Sequence, residues 1–291
     1  MSSASPTLLP VNALLGWVLA VLLAVAVTVT AVARLSPEQG FGRAREVLTA
    51  GVRAAVQLAA VSAVIGWVVH HGAALLGFLL LMYAVAVRTA GRRITSDGTW
   101  WWAALPIAAG VVPAVALLLS TGLLPLRGIA LVPVTGILIG GALTATVLAG
   151  RQGLAALGGR HGEVEAGLAL GMTEREARIE IARPAAADAL VPGLDQTRTV
   201  GLVTLPGAFV GMLLGGADAL TAGAVQFFVL VALMAVQAVA VTVTLELVAR
   251  RRLTAPRPGT APATSRRSRT SWRGRRGRSS SGPPAPAPEG R

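Results

Sequence analysis

Long apolar runs constrain this 291-residue chain more than any other feature of its sequence. The runs are Val11–Ala33, Val47–Val69, Gly72–Val87, Trp100–Ser120, Gly128–Ala149, Thr199–Ala217 and Ala222–Ala249. A helix needs about 20 apolar residues to cross a hydrocarbon core of about 30 Å. The chain is also 54% hydrophobic, more than a soluble fold of this size usually carries. The sequence therefore predicts an all-α, polytopic protein of the cell membrane with about seven transmembrane helices.

The arginines predict the orientation of these helices. They cluster after the first, third, fifth and seventh runs, at 34–45, 88–93, 151–198 and 250–252, and the segments between hold few or none. Because cytoplasmic loops retain positive charge, these four segments are expected to face the cytoplasm. The N-terminus then lies outside and the C-terminus inside, which agrees with an odd number of helices.

Three parts of the chain follow from this topology. An extracytoplasmic N-terminus (1–10) precedes a transmembrane domain (11–249), which contains a cytoplasmic loop at 151–198. The tail (250–291) is basic and rich in Ser, Pro, Gly and Ala from Thr254 onward, so it is expected to be disordered. It is expected either to rest on anionic lipid headgroups or to remain solvated. The net charge of +13 thus reflects topology and this tail, and no nucleic-acid partner is predicted.

Two absences from the composition limit the chemistry. The chain has no Cys, which excludes disulfides and thiolate metal sites. All 26 basic residues are Arg, so the Lys of a phosphate-binding G-x-x-x-x-G-K-[ST] loop is missing. No enzyme activity or cofactor is therefore predicted for this chain, and ATP-driven work would need a partner chain. The only His are His70, His71 and His161, and no metal site is predicted from them.

The loop 151–198 is predicted to be a helical docking surface. It holds seven acidic residues and six Arg. Thr173 and Glu176 have the spacing of a capping box, which predicts a helix start at Thr173. That helix is expected to end near Arg183, because Pro184 lacks an amide donor and disfavours helical geometry before it.

Several polar residues are predicted to lie within or beside the membrane. Gln226, Gln237 and Thr244 share one helix face, which should look into the bundle either as helix-packing contacts or as the lining of a translocation path. Arg53 is expected to reach the lipid interface, whereas the amide of Gln57 needs a partner. Asp195 and Arg198 are spaced to pair on a helix surface or to meet an ATPase.

A first resemblance lies in the cytoplasmic loop. Glu165-Ala166-Gly167, Gly171, Ile181 and Pro184 resemble the EAA signature of ABC transporter permeases, with Gly167 in place of Ala and Arg183 in place of Leu. The resemblance implies that the turn at Gly171 docks in a groove of a separate ATPase. The residues implied in this coupling are Glu165, Ala166, Gly171, Thr173 and Glu176.

A second resemblance is more specific. The stretch Asp195-Gln196-Thr197-Arg198-Thr199-Val200-Gly201-Leu202-Val203-Thr204-Leu205-Pro206-Gly207 closely resembles that of the FetB-like permease family, which includes bacterial iron exporters and plant relatives involved in aluminium tolerance. One departure is Gly141, where the family pattern leads us to expect Asn. Path or hinge roles are predicted for Gln57, Asp195, Arg198, Thr199, Gly201, Pro206, Gly207, Gln226 and Gln237. Pro206 and Gly207 in particular can unwind a membrane helix locally.

These resemblances imply the membrane subunit of an ABC exporter that removes iron or another metal. It would work as a homodimer in lipid with an ABC-type ATP-binding subunit that uses the ATP. The alternatives are an ABC importer permease of methionine or phosphonate type, an ATP-independent channel or secondary transporter, and a membrane anchor that only recruits a partner.

Overall fold

The computed structural model of the chain describes residues 13–33, 42–122 and 128–254, without the side chains of 128 and 129. Within these ranges the backbone is almost entirely helical and forms no strand. The predicted N-terminus (1–10) and the tail beyond Thr254 lie outside the described residues.

The described residues form ten α-helices. In chain order they are α1 (Ala13–Val32), α2 (Gly42–His70), α3 (Gly72–Ile94), α4 (Ala104–Ser120), α5 (Gly128–Gly159), α6 (His161–Ala169), α7 (Glu174–Ala187), α8 (Val191–Thr199), α9 (Gly207–Leu214) and α10 (Ala219–Ala249). Short 3₁₀ helices at Gly98–Ala103 and Asp188–Leu190 precede α4 and α8. Six helices of the described part, α1 to α5 and α10, are long and apolar enough to cross a membrane. The predicted fold class is confirmed.

Close contacts fix the relative direction of α5 and α10. Gly141 of α5 faces Leu233 and Gln237 of α10, and Gly153 faces Val248 further along both helices. Residue numbers therefore rise together, so the two helices run parallel. The chain between them must return across the membrane, as the charge pattern predicts.

That return crossing is broken. Helical backbone continues from Glu174 to Thr199 through α7 and α8, residues 200–206 are not helical, and α9 follows. The predicted continuous helix Thr199–Ala217 is therefore wrong, because α9 has 8 residues and spans only about 12 Å. The local cause is Gly201, whose φ of 84° is left-handed, followed by Pro206, which cannot donate a backbone hydrogen bond.

Two contacts with α10 give the depth of this break. A Cβ atom on Gly193 of α8 would lie 2.1 Å from Oε1 of Gln237, and the Phe209 ring of α9 lies 4.0 Å from the Cβ position of Gly223. The break lies between these two levels, which are about 21 Å apart along α10. Since α10 has no charged residue from Ala219 to Leu245, the break lies at membrane depth.

The end predicted for the cytoplasmic helix is also wrong. α7 does not stop near Arg183 but includes Pro184 and ends at Ala187. The helix packs against both α5 and α10, and Ala182 and Ala186 are fully buried. Packing on two sides thus outweighs the hydrogen bond that the proline removes.

The four inner helices α3, α4, α5 and α10 form the centre of the bundle. Their shared core includes the fully buried side chains of Ile107, Leu138 and Val236. A second core joins the cytoplasmic ends of α5 and α10 to α6 and α7. By contrast, α1 has no buried residue and α2 buries only Ala44 and Val68, so both lie at the periphery.

Gly91 and Gly77 of α3 offer a matched test of this packing. A Cβ atom on Gly91 would lie 2.1 Å from the backbone oxygen of Trp100, whereas one on Gly77 would meet nothing within 4 Å. We expect Gly91→Ala to destabilise the protein by about 1–3 kcal/mol, because backbone must move. Gly77→Ala should be neutral or stabilising, by up to about 1 kcal/mol. Thermal unfolding in detergent, followed by tryptophan fluorescence, measures both; equal midpoints would contradict the packing described.

Candidate functional site: a cytoplasmic hairpin and a broken crossing

A helical hairpin made of α6 and α7 forms the cytoplasmic part of the site. Its turn contains Gly171, whose φ of 90° is in the left-handed region that favours glycine. The neighbouring side chain of Leu170 is 85% exposed, and Met172 is exposed as well. The hairpin therefore presents an apolar tip around a rigid turn.

The capping box predicted from the sequence is present at the start of α7. The amide and hydroxyl of Thr173 donate to Oε2 of Glu176 at 2.9 and 2.8 Å, and the Glu176 amide donates to the Thr173 hydroxyl at 3.3 Å. The backbone and side-chain hydrogen bonds from Thr173 lower the pKa of the Glu176 carboxyl. These hydrogen bonds thus fix the first turn of α7 to the end of the turn that precedes it.

The capping box should respond to pH. Because the folded-state pKa of Glu176 is lowered, its contribution is present above the unfolded value of about 4.3 and is lost as the pH falls through the folded value. We expect the first-turn amides of α7 to exchange faster at pH 4 than at pH 7 after correction for the intrinsic rate. Glu176→Gln should weaken this dependence in hydrogen exchange, and an unchanged pH profile would contradict it.

The base of the hairpin is fixed to the cytoplasmic end of α10. The guanidinium of Arg175 donates to both carboxylate oxygens of Glu246 at 2.7 Å. Arg178, which is partly buried, donates to the backbone oxygens of Ala249 and Val248 at 3.0 Å. The Ala249 oxygen has no other donor among the described residues, whereas the Val248 oxygen also accepts from the Arg251 amide at 3.2 Å. These hydrogen bonds therefore join the hairpin to the end of α10.

Arg178 and Arg183 provide a matched pair for testing this connection. We expect Arg178→Ala to loosen the hairpin, since it removes two hydrogen bonds to the end of α10 and leaves the Ala249 carbonyl unpaired. Arg183 instead forms an exposed ion pair with Glu180 at 3.1 Å, and such pairs contribute little. Arg183→Ala should therefore leave the amides of α7 protected from hydrogen exchange. Arg178→Ala should increase amide exchange at the end of α10 at least 5-fold. Equal exchange in the two variants would contradict the anchoring role.

The remaining coupling candidates lie on α6. Glu165 is exposed and pairs with His161 at 3.3 Å, and Ala166 is exposed next to it. Gly167, which departs from the EAA pattern, faces α7: a Cβ atom there would lie 3.0 Å from the Cβ of Ala177. Glycine at this position lets the two helices of the hairpin approach closely.

The break in the crossing contains several of the predicted path residues. The backbone oxygen of Thr199 accepts from the amides of Leu202, Val203 and Thr204, and the Gly201 amide donates to the Thr204 oxygen at 2.8 Å. This tight loop turns the chain out of α8. Pro206 and Gly207 then begin α9, as residues suited to an interrupted helix.

A charged pair lies just on the α8 side of the break. Asp195 and Arg198 are both exposed, and their Oδ1 and Nη1 atoms are 3.5 Å apart. The Thr199 hydroxyl donates to the Asp195 backbone oxygen at 2.8 Å. The pair is therefore a surface feature of α8, available to water or to a partner.

The glutamines of α10 are buried, together with Thr244. Gln237 lies between two glycines, Gly141 of α5 and Gly193 of α8. A Cβ atom on Gly141 would lie 2.2 Å from Leu233 and 3.4 Å from the Gln237 amide nitrogen, so an Asn there would not fit. The Gln237 amide of α10 thus occupies the space where the family pattern predicts an Asn side chain from position 141 of α5. The Oε1 atom of Gln226 is buried and accepts no hydrogen bond from the described residues.

Gln57 lies apart from these residues. With Arg53 and Thr49 it lines an open groove of about 530 Å³ on the surface of α2. Both Arg53 and Gln57 are exposed, and α2 packs against α1, α3 and α5. The buried partner expected for the Gln57 amide is not among the described residues.

No cluster of three or more His, Cys, Asp or Glu that could hold a metal ion is found in the described part of the chain. His70 and His71 lie at the end of α2, where each has Nδ1 within 2.6 to 2.9 Å of a backbone oxygen one turn earlier.

Sequence reasoning missed the anchor between hairpin and α10. Arg175 is 71 positions from Glu246, and Arg178 is 71 positions from Ala249. Charged residues at both sites were visible, but no local spacing connects them. Only the parallel packing of α5 and α10 brings them together.

These features define the class of this protein: a multi-pass helical membrane protein with one broken crossing and a projecting cytoplasmic hairpin. The chain belongs to the family UPF0014, described as an uncharacterised protein family, which matches residues 18–253.

Named relatives support the same class. The chain is 36% identical over 214 residues to the UPF0014 membrane protein STAR2 of Oryza sativa, covering 72% of this chain and 75% of that one. It is 32% identical to the protein ALUMINUM SENSITIVE 3 of Arabidopsis thaliana, over 67% of this chain and 73% of the relative. It is 26% identical to FetB of Escherichia coli, named a probable iron export permease protein, over 71% and 82%. No solved structure matches the chain.

Proposed function

We propose that this chain is the membrane subunit of an ABC exporter, driven by a separate ATP-binding subunit that docks on the α6–α7 hairpin. The observation that carries the proposal is the hairpin itself. Its exposed apolar tip at Leu170 and Met172 suits a groove on a partner, and its base is fixed to α10 by Arg175 and Arg178. A rigid element of this kind passes on a rigid-body movement that a flexible loop would absorb.

The composition of the chain supports a division of labour between two chains. A chain without Lys cannot form the phosphate-binding loop that ATP hydrolysis of the ABC type uses. The hairpin then receives the movement of the ATPase, and the continuous helical run from Glu174 to Thr199 carries it to the break. The direction of transport and the cargo, iron or another metal, come from the similarity to FetB. Two copies would form the complete permease, each with its own ATPase.

Leu170 and Leu220 provide a matched test of docking, because their side chains are 85% and 84% exposed on opposite sides of the membrane. We expect Leu170→Glu to reduce recovery of the ATP-binding subunit with the tagged chain at least 10-fold, because a charge replaces the apolar tip. ATP-dependent metal flux into inverted vesicles should fall with it. Leu220→Glu should leave both unchanged.

Gly171→Ala gives an independent measure of the same contact. Alanine in a left-handed conformation costs about 1–2 kcal/mol, so the tip should change shape while the protein stays in the membrane. We expect ATP hydrolysis by the complex to continue with reduced metal flux. Normal docking and flux in both Leu170→Glu and Gly171→Ala would refute the proposed coupling site.

A further inference from the structure

The break at 200–206 has backbone groups that its own fold leaves open. The amides from Gly201 to Thr204 all donate to backbone oxygens within the loop. The carbonyl oxygens are different, because several of them accept no hydrogen bond from the described residues. They belong to Val200, Gly201, Leu202, Val203 and Leu205. The break therefore presents hydrogen-bond acceptors without matching donors from the described part of the chain.

The surroundings of these carbonyls cannot be lipid. Non-helical backbone at membrane depth occurs only where protein covers it or where it lines a water-filled cavity. Yet Leu202 is 93% exposed and Val203 77% exposed on the single chain. The exposed Asp195–Arg198 pair adjoins the same surface, and a charged pair at this depth also requires water or protein.

A path through the interior of one chain does not provide the water or protein that these carbonyls require. The centre of the bundle is filled by fully buried side chains, among them Ile107, Leu138 and Val236. The break lies on the outside of the bundle, where it forms only one wall. A second copy related by a two-fold axis would place the same surface opposite and supply the other wall.

We propose that two copies of this chain meet at their 200–206 breaks, and that the carbonyl oxygens of both breaks form a transient site for a hard metal cation. The inference rests on the proposed function and specifies the substrate class and the place of passage. Carbonyl oxygens suit hard cations such as Mn²⁺ and Mg²⁺ and disfavour soft ones. Rings of carbonyls also conduct cations elsewhere by replacing hydration water.

The helix ends beside the break agree with this assignment. The long helical run ends at Thr199, so its negative dipole end faces the break and favours a cation. The N-terminus of α9 places the opposite partial charge on the other flank. Because the two partial charges oppose each other, the site binds a cation only weakly, and weak binding lets a passing ion leave.

Because the chain has no natural Cys, a single cysteine can report on the break. In Leu202→Cys, reconstituted as the full chain in nanodiscs without ATPase, we expect an oxidant to produce a disulfide-linked dimer. Leu81→Cys on α3, which is 58% exposed in the wild type, should stay monomeric. Without oxidant, millimolar Mn²⁺ should slow alkylation of Leu202→Cys at least 5-fold, and choline should have no effect.

Two glycines control for backbone strain. Gly201 and Gly216 have φ values of 84° and 87°, and a Cβ atom added at either position would meet nothing within 4 Å. Combined with Leu202→Cys, Gly201→Ala should abolish the protection by Mn²⁺. Gly216→Ala imposes the same strain outside the break and should retain it.

The outcomes separate the parts of the inference from the proposed function. Failure of Leu202→Cys to cross-link would overturn the two-fold arrangement. Cross-linking without protection by Mn²⁺, or equal protection in both glycine variants, would overturn the cation site. None of these readouts requires ATP or the partner. The proposed docking through Leu170 is therefore tested separately, by its own experiment.

Discussion

The membrane offers no hydrogen-bond partners for backbone, and this constraint determines most of the structure. In lipid each amide and carbonyl must be satisfied within the protein, so helices are the only spanning elements available to a chain without a closed barrel. Six helices of the described part obey this rule directly. The broken crossing between α5 and α10 departs from it at 200–206, where five carbonyls find no donor among the described residues. An unsatisfied backbone group at this depth costs several kcal/mol, so the break requires water or protein around it.

Mechanical continuity connects the cytoplasm to that segment. The hairpin of α6 and α7 is held to the end of α10 by Arg175 and Arg178, and α7 is followed directly by a 3₁₀ turn and by α8, which ends at Thr199. Gly141 of α5 and Gly193 of α8 leave room for the Gln237 side chain of α10, so α8 packs closely against the bundle. The exposed tip and the break thus lie at the two ends of one helical segment of the chain.

The proposed cargo can be compared with what the described part of the membrane region contains. In the described part there is no cluster of acidic, histidine or cysteine ligands, and the interior polar groups are amides and hydroxyls. Tight metal binding is unsuited to transport, because an ion must leave the site it enters. The weak oxygen ligands proposed at the break would suit such passage without a strong metal centre among the described residues.

The sequence by itself determined the fold class, the orientation of the helices and the capping box at Thr173, because these depend on hydrophobic length, charge bias and short-range spacing. It also located the stretch Thr199 to Gly207 as exceptional. Only the tertiary structure decided that this stretch is a break rather than a helix, and that α7 continues past Pro184. The break has a local cause in Gly201 and Pro206, but glycine and proline are also common within membrane helices, so the sequence left a continuous helix open. The extension of α7 depends on packing against α5 and α10, and contacts between residues far apart in the chain leave no periodic signal in the sequence.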